Sequence, residues 1–99
     1  MTIRKNITDN TVTLVVEGCI DTNTSPELQR VILETFRSAK QITLNMEKVQ
    51  YVSSAGLRAL LIGHKTAISK GGGMELFHVP PAVRAVLDSV GLSKVLVIR

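Results

Sequence analysis

Aromatic side chains are nearly absent: the 99-residue sequence has no Trp, one Tyr and two Phe. Any core must therefore be aliphatic, and 44% hydrophobic with 20% charged residues is a globular composition rather than a disordered one. The same scarcity bears on charge. Net charge is +4, but the twelve basic residues are scattered and lack the interleaved aromatics on which bases stack, so direct nucleic-acid binding is not expected. Cysteine occurs once, at Cys19, which excludes an intramolecular disulfide. Met1 to Asn10 contain no apolar segment of the signal-peptide kind. Leu14-Val15-Val16 and Ala59 to Ile62 fall far short of the ~20 apolar residues that span a bilayer. The expectation is a cytoplasmic protein without membrane insertion. Repeats, linkers and low-complexity stretches are also missing, and the length suits a single domain over residues 1–99 that buries ~60–70% of its unfolded surface.

Several chemistries lack their residue patterns. A nucleophile elbow needs Gly-x-Ser-x-Gly, and around Ser54 the first position is Val52. His64 falls on the apolar stripe of a helix and His78 adjoins a strand end, so the sequence sets neither beside Ser54 with an orienting acid. Gly71-Gly72-Gly73 lacks the lysine and hydroxyl of a phosphate-binding loop, and Gly63-His64-Lys65-Thr66 interposes a histidine. Cys19, His64 and His78 show no metal-ligand spacing. The sequence is read as a non-enzyme with no cofactor and no metal.

What is present is an alternation of strand and helix signals. Thr11 to Glu17 is β-branched and bounded by Asp9-Asn10 and Gly18, which predicts a strand in a hairpin with Thr2 to Thr8. Thr24-Ser25-Pro26-Glu27 combines a cap hydroxyl, an early proline and a glutamate three residues on, and predicts a helix capped by Thr24 with Leu28, Val31, Ile32, Thr35 and Phe36 on one stripe. Gln41 to Met46 reads as a strand, followed by a turn and a helix with Leu57, Leu60, Leu61, His64 and Ile68 inward. Gly71-Gly72-Gly73 ends that helix and Met74 to Val79 forms the next strand. After Pro80-Pro81, Val83, Val86, Leu87 and Val90 line a last helix closed by Gly91-Leu92. Lys94 to Ile98 is either a short edge strand or an extended tail. Together these predict an α/β fold, a four- or five-stranded mixed sheet with an edge hairpin, flanked by helices.

Ser53 and Ser54 stand at the start of the second of these helical signals. A hydroxyl there accepts from orphan backbone amides, so each serine reads first as an N-cap. A phosphoserine at the same place adds about −1.5 to −2 charges where the helix dipole supplies roughly half a positive charge. Arg58 lies four residues beyond Ser54, within helical reach of such a phosphate.

Nearly the whole chain resembles an anti-sigma factor antagonist, a STAS domain. The resemblance rests on Glu17-Gly18-Cys19-Ile20-Asp21, on Ile42 to Met46 leading through Val49 to Val52-Ser53-Ser54-Ala55-Gly56-Leu57, and on Val79-Pro80-Pro81-Ala82-Val83-Arg84 ending in Gly91-Leu92. Alignment on Gly56-Leu57 implies phosphorylation at Ser54, with Ser53 the second candidate. Ser53 stands where an aspartate is usual, Ala55 where a second hydroxyl is common, and Asn45 where the strand often carries aspartate. The resemblance further implies a partner-binding surface of Asp21, Thr22, Asn23, Ser53, Ser54, Gly56, Leu57 and Arg58. The implied mechanism is partner switching: the unphosphorylated form binds an anti-sigma factor that is itself a serine kinase and so frees a sigma factor, phosphorylation ends binding, and a PP2C-type serine phosphatase restores it. The alternative role is a STAS docking subunit of a stress-sensing assembly or of a lipid or anion transport complex.

Overall fold

Alternate apolar residues on three strands decide which face of the sheet is covered. In the computed structural model, which describes residues 1–9 and 11–99, the elements are β1 (Thr2–Thr8), β2 (Thr11–Ile20), α1 (Ser25–Thr35), β3 (Gln41–Val52), α2 (Ser54–Ser69), β4 (Gly73–Phe77), α3 (Pro81–Ser89), a 3-10 turn (Leu92–Lys94) and β5 (Val97–Ile98). Asn10, half of the turn signal before β2, lies outside the described residues. The five strands lie in the order β1-β2-β3-β4-β5, antiparallel between β1 and β2 and parallel elsewhere. The mixed sheet and its edge hairpin are thus as expected. The C-terminal apolar run resolves into a two-residue edge strand, held also by the Arg99 amide donating to the Leu76 carbonyl at 2.8 Å.

Leu14, Leu44 and Leu76 are paired across β2, β3 and β4 and fully buried, with Val12, Val16, Ile42, Met46 and Met74 beside them on the same face. The intervening Thr13, Thr43 and Glu75 are half-buried on the other. Leu28 and Ile32 of α1, Leu57, Leu60 and Ala67 of α2, and Val83 and Leu87 of α3 join one aliphatic core with these strands. Truncating any of its leucines to alanine would cost about 2–5 kcal/mol.

Four boundaries differ from expectation. β2 continues through Gly18 to Ile20, and β3 runs on from Met46 to Val52 with no intervening turn. The cause is a pair of register shifts: Val15 pairs with Asn45 but Glu17 with Lys48, and Gly18 with Val49 but Cys19 with Tyr51, so β3 holds one extra residue at each place. Burial on β3 then steps from Met46 to Val49 to Val52, and the period-2 signal disappears while the strand persists. β4 stops at Phe77, because His78 takes φ 56 and turns the chain out of the sheet. On α2 the buried residues are Gly56, Leu57, Ala59, Leu60, Gly63 and Ala67, whereas Ile68, expected inward, is 61% exposed. Finally, Val90 lies beyond α3 and is 56% exposed instead of lining the core.

Gly71-Gly72 ends α2 as the sequence predicts, in a Schellman arrangement. Gly71, at φ 72, donates to the Ile68 carbonyl at 3.0 Å, and Gly72 donates to the Ala67 carbonyl at 2.9 Å. The two glycines serve different needs. Space is open around Gly71, while a Cβ on Gly72 would sit inside the Lys40 carbonyl group. We expect Gly71→Ala to lower stability by about 1–2 kcal/mol, the cost of a left-handed residue with a side chain. Gly72→Ala should cost more than about 3 kcal/mol, because backbone must move. Urea denaturation of the two variants checks the order; equal midpoints would refute it.

Candidate functional site

The site is built where β2 and β3 end side by side. Ile20 pairs with Val52, and the next amide, that of Ser53, donates to the Ile20 carbonyl at 2.8 Å. From this junction β2 passes into the Asp21–Thr24 loop and α1, while β3 passes directly into α2. The first turns of two helices are thereby brought to one edge of the sheet, at the C-terminal ends of parallel strands, where open α/β folds commonly place sites. Gly56 makes the close approach possible: a Cβ there would come within 2.8 Å of Ile20 Cγ2 and Val52 Cγ1, and 2.9 Å of the Ile20 carbonyl oxygen.

The two serines have distinct positions. Ser53 is the N-cap of α2, in extended backbone (φ −83, ψ 175), and its hydroxyl accepts from the Gly56 amide at 3.3 Å while its carbonyl accepts from Leu57 at 2.9 Å. It is half-buried. Ser54 is the first residue of the helix, exposed, and among the described residues no hydrogen bond occupies its hydroxyl. The first turn of α2 has no acidic residue, and the helix N-terminus adds a partial positive charge.

Asp21 organises the adjoining loop. Its Oδ1 accepts from the amides of Asn23 at 2.9 Å and Thr24 at 3.0 Å. The Thr24 hydroxyl accepts from the Asp21 amide at 2.9 Å and donates to the Cys19 carbonyl at 2.8 Å, with Asp21 Oδ1 at 3.1 Å as a further acceptor. The expected capping box therefore does not form. Thr24 occupies the N-cap position of α1, but its hydroxyl is committed backwards to the loop and makes no cap bond. Hydrogen bonding, led by the Thr24 amide, holds the Asp21 carboxyl below the usual carboxylate range.

Of the residues assigned to the partner surface, Thr22, Asn23, Ser54 and Arg58 are exposed and Asp21 and Ser53 half-buried. Gly56 is buried, so its contribution is to seat α2 rather than to touch a partner. Leu57 is only 9% exposed and reaches the surface at the floor of a shallow depression. That depression, about 290 Å³, is lined by Ser54, Leu57, Arg58, Leu61, Val90 and Leu92. Sequence reasoning missed Leu61, Val90 and Leu92 as surface elements; the available signal was two aliphatic residues flanking Gly91, which turns at φ 77. His64 lies ten residues along α2 from Ser54, about 15 Å by helical rise, half-buried with its Nδ1 unpartnered among the described residues.

The STAS domain model matches residues 2–99. The chain belongs to the STAS domain family. It is 32% identical over 83 residues to the anti-sigma F factor antagonist of Paenibacillus polymyxa, an alignment covering 82% of this chain and 71% of that protein. An anti-sigma factor antagonist from Mycobacterium paratuberculosis superposes with a TM-score of 0.87 at 23% identity, covering 98% of this chain and 83% of that one. The anti-sigma factor antagonist SpoIIAA has been solved unphosphorylated (TM-score 0.84, 20% identity, 99% of this chain and 88% of that one). The Bacillus protein has also been solved phosphorylated (TM-score 0.77, 20% identity, 99% and 91%). At these identities the structures speak to the shared STAS fold. Among the described residues no helix is long and apolar enough to cross a membrane.

Two predictions follow from the bonding at this edge. Ser53→Ala should destabilise by about 0.5–1 kcal/mol, the low end for a cap because 3.3 Å is a long bond, and Ser54→Ala should lie within about ±0.5 kcal/mol of wild type. Urea midpoints of the two variants measure the difference, and a larger loss at Ser54 would reverse the assignment of the cap. For Asp21 the sign is set by its lowered folded-state pKa. Its contribution is complete above the ordinary carboxylate range and is lost as pH falls through the lowered value. The stability gap between wild type and Asp21→Asn should accordingly be constant at neutral pH and close in acid; a gap that widens in acid would contradict it.

Proposed function

We propose that the chain is an anti-sigma factor antagonist working by partner switching, with Ser54 as the modified residue. The single observation that carries the residue assignment is the division of labour between the serines. Ser53 Oγ is engaged as a cap, whereas Ser54, at the first position of α2, is exposed and its hydroxyl has no hydrogen bond among the described residues. The likeness to the Paenibacillus polymyxa antagonist supports the role, and the phosphorylated structure of SpoIIAA shows that a relative of this fold carries the modification.

In this reading the unmodified chain binds, in the cytoplasm, an anti-sigma factor that is also a serine kinase, and so releases a sigma factor. The kinase supplies ATP and catalysis; the chain supplies the acceptor. Ser54 Oγ attacks the γ-phosphorus, the bond from that phosphorus to the bridging oxygen of ADP breaks, and the hydroxyl proton passes to the kinase. The product gains about −1.5 to −2 charges at a helix start, a location that tolerates an anion without unfolding. A surface shaped for a neutral hydroxyl is thus altered while the scaffold stays intact. A PP2C-type serine phosphatase, by hydrolysing the phosphate ester, returns the chain to its binding form.

Incubation with the cognate anti-sigma kinase and ATP should add one phosphate, mapped by mass spectrometry to Ser54 and abolished in Ser54→Ala. Ser54→Asp should weaken binding to that kinase about tenfold or more, with melting temperature little changed. Modification at Ser53, or equal retention of the kinase by Ser54→Ala and Ser54→Asp, would defeat the proposal.

A further inference from the structure

The depression beside Ser54 has features that a phosphorylation site does not require. Its floor is aliphatic, made by Leu57, Leu61, Val90 and Leu92, and Ser54 and Arg58 stand with them around it. Val90 is 56% exposed. Arg58 is exposed, and among the described residues it makes no ion pair and is the one charged residue lining the depression. An apolar floor with one uncompensated cation beside it is complementary to an aliphatic side chain flanked by a carboxylate. Four aliphatic residues are too few to make by themselves a stable interface, which uses about 20–30 residues a side, and they fit one short segment of a partner whose other contacts lie on the adjoining surface. The depression is continuous with the Ser54 surface.

We propose that this depression docks an acidic, aliphatic segment of the anti-sigma factor, and that phosphorylated Ser54 closes it by capturing Arg58. The proposal rests on the reading of Ser54 given above. A phosphate at Ser54 and a guanidinium at Arg58 are four residues apart on one helix, with the anion N-terminal to the cation, the favourable order. Phosphate oxygens accept paired hydrogen bonds from a guanidinium, and the interaction is intramolecular, so it competes well against a partner's carboxylate. Modification would then act twice: it adds negative charge facing an acidic segment and removes the cation that segment needs.

Two measurements test this. With phosphoserine installed at position 54 by codon suppression, ³¹P NMR titration at low salt should show the second phosphate ionisation at lower pH in the wild-type background than in Arg58→Ala. High salt should erase the difference. Calorimetric titration of the unmodified chain into the purified kinase that modifies it should show Val90→Asp and Arg58→Glu weakening binding about tenfold or more. Ile68→Asp, at the far end of α2, should have no effect. Val90→Ser serves where Val90→Asp alters the melting temperature. Identical phosphate titrations, or unchanged affinity in the Val90 and Arg58 variants while Ser54→Asp still loses binding, would overturn the pocket and leave the Ser54 reading standing. Loss of binding in none of them, Ser54→Asp included, would sink both. Self-association abolished by Val90→Asp would assign the depression to a second copy and overturn the proposed occupant.

Discussion

The site depends on two parallel strands ending at the same level. The Ile20 carbonyl to Ser53 amide bond carries the pairing of β2 and β3 one residue past Val52, and α2 begins at once. No loop intervenes to absorb error, so the position of the Ser53 and Ser54 hydroxyls is set by the sheet itself. The absence of a side chain at Gly56 permits this, because the helix start lies against the last apolar residues of both strands. Rigid placement would suit a switch that alters a surface without altering the fold, since the proposed acceptor is carried by the first residue of a helix seated directly on the sheet.

Two extra residues in β3 are what make the strands level. β2 from Thr11 to Ile20 has ten residues, and β3 from Gln41 to Val52 has twelve. Without the bulges, two residues of β3 would project past the end of β2, and Ser53 would lose its partner at Ile20. The same bulges hid the strand from sequence reasoning. Regular alternation from Ile42 to Met46 is a strand signal, but Met46, Val49 and Val52 recur at threes, a spacing that points to neither a clean strand nor a helix. Periodicity reports a strand only where the pairing is regular, and here the irregular part is the part that builds the site.

Elsewhere the fold was legible for local reasons. The hairpin of β1 and β2, the proline entry to α1, and the Gly71-Gly72 exit from α2 follow from residues acting on their own backbone. Misreadings arose where a side chain had a choice of partners. Thr24 carries every mark of a cap, yet the Asp21 amide and the Cys19 carbonyl claim its hydroxyl first. Val90 keeps the helical spacing of Val83 and Leu87 but lies past the end of α3, so it falls on the surface. At the site, proximity of the Asp21 loop to Ser53-Ser54 was legible through family resemblance. The aliphatic depression was not, since it joins residues some thirty positions apart.

Ser53 replaces an aspartate in the pattern that this chain resembles, and the structure gives that exchange a physical meaning. Aspartate and serine are comparable N-caps, so the hydrogen bond to the Gly56 amide, and with it the start of α2, survives the change. What differs is charge. An aspartate would hold a full negative charge one residue from a phosphate on Ser54, well inside the ~8 Å over which salt screens at physiological strength. Serine removes that repulsion, the first turn of α2 supplies no other carboxylate, and Arg58 follows in the second. The exchange therefore keeps the cap and would act only on a chain phosphorylated at Ser54, where the helix start would be a better home for the anion than an aspartate cap would allow.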